Sequence, residues 1–134
     1  MVANTKIFFH VTDIKNLPNI KRVGLIPRIG NFSQKAGVKN PVMCLFKTEG
    51  YAINAVYGWL GEEYQLNYQD EGIDPAGKLK LAILKISLPE NFPLEDGKDA
   101  DGEIISKQKI PKQYISQHLE LTLTLDYEWE KSKR

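Results

Sequence analysis

A chain of 134 residues, 42% of them hydrophobic, is long enough for one domain around a sizeable core. Eighteen Lys and Arg against 17 Asp and Glu leave a net charge of +1, which excludes the strong basic footprint of a dedicated nucleic-acid binder but not a weak or local contact. One cysteine, Cys44, excludes a disulfide framework, and no apolar run reaches the roughly 18 residues of a membrane span.

The N-terminus lacks the charged-then-apolar layout of a signal peptide, so a soluble cytoplasmic protein is expected. Lys6–Val11 is apolar and aromatic and reads as a buried strand, ending in His10-Val11-Thr12. Asn16-Leu17-Pro18 then predicts a capped helix start, because proline is tolerated where the first N–H groups have no partner. Leu17, Ile20 and Val23 fall on one face of that short helix, and Gly24 reads as its left-handed stop. Arg28–Asn40 is polar, with Gly30 and Gly37, and predicts a loop.

Val42–Phe46 is a second short apolar strand. Thr48 can cap a helix from about Glu49 to Leu60, with Ala52, Ile53, Val56 and Leu60 inward. Glu62–Gly77 is acidic and polar and reads as a long surface excursion broken at Asp74-Pro75. Leu79–Leu88 carries Ala82, Leu84 and Ile86 on one face and Leu81 and Ile83 on the other, as a central strand does. Pro89–Asp101 is an acidic loop, and Glu103–Ser106 a short strand. Leu119–Leu125 alternates leucine with Glu120, Thr122 and Thr124, which predicts a half-buried strand. The charged tail from Glu128 is expected to fray. The sum is one α+β domain over residues 1–134, with two helices in its N-terminal half.

His10, His118 and Cys44 are scattered without ligand spacing, so no metal site is predicted. Neither G-x-x-x-x-G-K-[ST] nor G-x-G-x-x-G occurs. Cys44 lies mid-strand between Met43 and Leu45, where a thiol is usually inert, which argues against a Cys44–His10 nucleophile pair.

Three segments combine into something more specific. "FFHVTDIKNLPNIKRVGLIP" pairs a His-x-Thr strand end with an Asn-Leu-x-x-Ile helix and a Gly-Leu turn. "VMCLFKTEGYAINAV" joins a strand to an alanine-bearing helix, and "GEIISKQKIPKQYI" joins an acidic strand to an Ile-Pro turn. In this order, over about half the chain, they resemble the ADP-ribosyltransferase fold. The nearest branches are the DarT-type DNA ADP-ribosyltransferases, the RNA 2′-phosphotransferases and the small rifampin ADP-ribosyltransferases.

The resemblance implies two small, mainly antiparallel sheets forming a cleft for NAD+. It implies Glu103 and His10 as catalytic residues, with Glu103 in the place of the catalytic glutamate and His10 on a ribose hydroxyl. Val11, Thr12, Arg28, Phe46 and Tyr51 complete the implied NAD+ contacts, Tyr51 against nicotinamide and Arg28 near the pyrophosphate. Tyr57 and Phe32 compete with Tyr51 for the stacking role. The implied activity is transfer of ADP-ribose to a protein or nucleic-acid acceptor. A toxin, effector or phage-encoded enzyme fits the size, with an antitoxin or inhibitor as a further partner. NAD+ hydrolysis and a non-catalytic nucleotide- or protein-binding domain of the same fold are the alternatives.

These residue types suit the chemistry. Cleaving the nicotinamide–ribose bond develops positive charge on the ribose, as in glycoside cleavage. A carboxylate at the 2′-OH stabilises that charge. Nicotinamide leaves as a neutral ring, so no strong general acid is required. The plain structural reading of each residue stands beside this one. His10 is then a hydrogen-bonded strand end, Glu103 a solvated strand residue, Thr12 a turn-forming hydroxyl and His118 a structural histidine. The enzyme reading requires Glu103 to face the cleft that His10 lines.

Overall fold

The strand Lys80–Pro89 (β3) is apolar on both faces, and the rest of the chain assembles around it. The computed structural model describes residues 5–27, 43–97 and 102–131. The other strands are β1 (Thr5–Asp13), β2 (Met43–Phe46), β4 (Glu95–Asp96), β5 (Glu103–Ser106), β6 (Ile115–Leu123) and β7 (Trp129–Lys131). Among the described residues three α-helices accompany them: α1 (Leu17–Val23), α2 (Glu49–Tyr57) and α3 (Trp59–Asp70). All seven strands form one antiparallel sheet in the order β4-β5-β2-β1-β3-β6-β7. Among the described residues no helix is long and apolar enough to cross a membrane.

The α+β class is as the sequence predicts, but the expected pair of sheets is one sheet. The reason is a single register pair, Phe9 with Phe46, which joins β1 to β2. By contrast β1 pairs with β3 along its whole length, from Thr5–Pro89 to Asp13–Leu81. The sheet is continuous through that junction.

Strand alternation sorts side chains into two cores. Phe8, Leu45, Leu84, Ile86 and Ile104 pack on the α1 side with Leu17 and Ile20. Val11, Phe46, Leu81, Ile83, Leu121 and Leu123 pack on the other side with Ala52, Ala55 and Val56 of α2 and Leu60 of α3. Gly24 ends α1 with φ +82°, so the predicted stop holds. Leu25 then bridges to Ile110, with main-chain bonds of 3.0 and 2.9 Å. Asn16, expected as the cap of α1, makes no side-chain cap. Its Nδ2 donates instead to Thr12 Oγ1 at 3.1 Å, while Asp13 caps the preceding 3₁₀ turn through Lys15 N at 3.1 Å.

The excursion expected over Glu62–Gly77 is largely helix. Leu60, Tyr64 and Tyr68 recur every four residues and bring one face of α3 onto the core, while the polar residues between them face out. Gly58 separates α3 from α2, which ends at Tyr57. The tail expected to fray contains β7, which pairs with β6 from Leu123–Trp129 to Leu121–Lys131. That hairpin ends β6 at Leu123 and leaves Leu125 in the turn, 79% exposed, instead of on the predicted strand.

Asp13 is 2% exposed and ties β1 to α3 by accepting from Tyr68 Oη at 2.8 Å. Burial first, and then the bond to Asp13, hold the Tyr68 phenol well above its ordinary range. A phenol raised in this way contributes stability at neutral pH that is lost only as pH climbs past about 10. Tyr68→Phe leaves Asp13 Oδ2 without that donor, so urea unfolding at pH 7 is expected to report a loss of about 1–2 kcal/mol.

Candidate functional site

The N-terminus of α2 organises the site. Thr48 accepts from Tyr51 N at 3.1 Å through its side chain, as the sequence predicts for a cap, and this fixes where Tyr51 leaves the first turn. The Tyr51 ring lies against Gly102, the residue before β5. Lys47 N donates to Gly102 O at 2.8 Å and holds the two segments together. Gly102 has φ +72°, and a Cβ there would run into the Tyr51 ring. Gly102→Ala is therefore expected to cost about 1–3 kcal/mol and to displace Tyr51, read by thermal melting together with calorimetric titration of NAD+.

Glu103 opens β5 and is 6% exposed, so it is not the solvated strand residue of the plain reading. It pairs with Phe46 in register, and Phe46 pairs with Phe9. Registered neighbours in an antiparallel ladder share a face, so Glu103, Phe46 and Phe9 form a row on the α2 side. Gly97 N donates to Glu103 O at 2.9 Å, and a Cβ at Gly97 would collide with the Glu103 side chain. Glycine at 97 and at 102 thus makes room for the carboxylate and for the tyrosine ring.

His10 alternates to the other face of β1, the face of Phe8 and Leu84. Its ring turns into the space between β1 and β2, where Nδ1 donates to the Cys44 carbonyl at 2.8 Å. A side chain does there what a ladder N–H would otherwise do, and among the described residues the β1–β2 register does not continue past Phe9–Phe46. His10 and Glu103 therefore stand on strands separated by β2. Their side chains also belong to opposite faces of the sheet, so His10 and Glu103 do not line the common cleft that the enzyme reading requires of them.

The remaining predicted residues divide. Glu103, Phe46 and Tyr51 come together. Thr12 is buried and engaged with Asn16, and the Val11 side chain is packed in the α2-side core, so neither offers side-chain surface to a ligand. Arg28 and Phe32 lie outside the described residues. Tyr57 is at the far end of α2, 54% exposed and remote in sequence from the capped turn, which leaves Tyr51 as the aromatic beside Glu103.

No family model, curated protein or solved structure matches this chain.

Sequence reasoning passed over Lys6 and Lys47. They line a groove of about 480 Å³ on the α1-side face, opposite Glu103, with Phe8, Phe92 and Ile104 and the three acids Glu90, Glu95 and Asp96. Their signal was position alone, Lys6 near the start of the first strand and Lys47 just past the end of the second. Gly97 had no signal of its own, since only the fold shows that Glu103 rests against it. Among the described residues no group of three His, Cys, Asp or Glu side chains is placed to hold a metal ion.

Proposed function

We propose that this chain is a mono-ADP-ribosyltransferase that moves ADP-ribose from NAD+ to a protein or nucleic-acid acceptor. The observation that carries the reading is the buried Glu103 carboxylate beside an aromatic ring held over a glycine, at the point where the sheet is joined by one residue pair. Tyr51 supplies a flat face for nicotinamide.

In the reaction, the bond between nicotinamide nitrogen and ribose C1′ breaks and its electron pair leaves with the neutral ring. The Glu103 carboxylate accepts the 2′-OH hydrogen bond and stabilises the cationic ribose. An acceptor lone pair then bonds to C1′, and the acceptor's proton passes to solvent. Water in the acceptor's place gives hydrolysis.

One observation favours a second reading, a non-catalytic nucleotide-binding domain: His10 and Glu103 stand on different strands across β2. Incubation with NAD+ labelled in its adenylate, with and without cell lysate, separates the two. Label entering protein or nucleic acid supports transfer, and free ADP-ribose supports hydrolysis. Binding by calorimetry without turnover supports the second reading, and absence of both binding and turnover ends the first.

A further inference from the structure

β6 contains one residue more than its partner strand needs. Gln117 pairs with Leu84, which faces α1, while Leu119 pairs with Ile83, which faces α2 and α3. The extra residue at this bulge is His118. A bulge lets a strand aim a side chain that regular alternation would send elsewhere. The His118 ring lies 5.3 Å from the Phe9 ring, centroid to centroid and tilted by 58°. Its Nε2 is 2.8 Å from Oε2 of Glu49, 69 residues away in sequence. Glu49 is the first residue of α2, one turn-step before Tyr51.

The first turn of α2 is thus held at both sides of the row Glu103–Phe46–Phe9. Tyr51 rests on Gly102 beside β5, and Glu49 meets His118 on β6. The strand between them, β1, contributes Phe9 as the shared floor. A histidine at an ordinary strand position could satisfy itself locally. A histidine at a bulge, packed at a tilt against the aromatic next to the candidate site and bonded to the helix that carries Tyr51, has a geometry that local structure does not require.

We propose that His118 is a positioning residue, which holds Glu49, and through it the first turn of α2, so that Tyr51 stands over the Glu103 end of the sheet. The functional part of this inference rests on the NAD+ reading given above; the clamp itself does not.

Hydrogen exchange of the Tyr51 and Ala52 amides tests the clamp without ligand. His118→Ala is expected to speed exchange at both by about fivefold, the scale of one lost exposed pair. The Ile83 and Leu84 amides stay unchanged and show that the fold stands. Glu49→Ala gives the same increase, and the double variant adds nothing further. His118→Gln, whose amide can still donate to Glu49, restores slow exchange. NAD+ titrated into His118→Ala binds about tenfold more weakly, because a stacking ring out of place loses its contact. Unchanged exchange in His118→Ala, or His118→Gln as fast as His118→Ala, overturns the clamp. Faster exchange with unchanged NAD+ affinity overturns the positioning role. Absence of NAD+ binding in the unsubstituted protein sinks the functional reading and the positioning role together, while the exchange arm alone then decides the clamp.

Discussion

Glu103→Gln is expected to lower NAD+ consumption by about 10²–10³-fold while leaving NAD+ affinity within about threefold. Glutamine keeps the shape and a hydrogen-bond acceptor and removes the charge. A carboxylate that acts on a developing cation matters in the transition state and little in the ground state, so the loss belongs in kcat and not in binding. The substitution is also mild for the fold, since Gln fits where Gly97 leaves room for the Glu103 side chain. Single-turnover rates and calorimetric affinity on the same preparation make the comparison. Full activity in the Gln variant removes Glu103 from the chemistry and leaves the α2 end of the sheet as a binding surface only.

Gly24→Ala is expected to lower stability by about 2–4 kcal/mol. Two effects add. Gly24 has φ +82°, a conformation that L side chains rarely take. Its Cβ would also meet the Ile110 carbonyl oxygen and come within 3.0 Å of Lys112 N. Both obstacles are main chain, so no rotamer change relieves them. Ile110 is fully buried and tied to Leu25 by two main-chain bonds, so the strain spreads into the α1-side core. Urea unfolding measures this, and a loss below about 1 kcal/mol would show that the Leu25–Ile110 bridge relaxes freely.

Much of the scaffold was legible because it rests on short-range rules. The two-faced strand around Leu84, the leucine alternation up to Leu123, the Thr48 cap and the Gly24 stop each follow from period, cap chemistry or backbone permission. The misses share a different origin. The helix Trp59–Asp70 meets the core through buried Leu60 and the partly buried Tyr64 and Tyr68, spaced by four, a weak stripe within an acidic stretch. β7 exists because β6 offers an edge to pair with, which the charged sequence of the tail does not announce. Asn16 looks like a cap, yet Asp13 takes that task one turn earlier and leaves Asn16 to Thr12.

For the site, residue types were legible and relations were not. Glu103 and Tyr51 became candidates through the resemblance carried by the segments GEIISKQKIPKQYI and VMCLFKTEGYAINAV. Their proximity depends on β5 pairing with β2 and on the chain between them returning by way of β3. That His10 and Glu103 face opposite sides of the sheet follows from the register Phe9–Phe46–Glu103, a long-range pairing that period-two patterns within each strand do not encode. His118 was read as structural because a bulge is a property of two strands together.

The Phe9–Phe46 pair has a mechanical consequence. It divides the sheet into two leaves joined by one stitch, a broad one built on β1, β3, β6 and β7 and a narrow one built on β2, β4 and β5. Glu103 rides on the narrow leaf, and His10 on the broad one. The narrow leaf, with a two-residue strand at its edge, is the natural unit of early opening in native-state exchange. A ligand seated across the stitch would hold both leaves at once, so its binding energy would act against that opening and register as slowed exchange along β2 and β5.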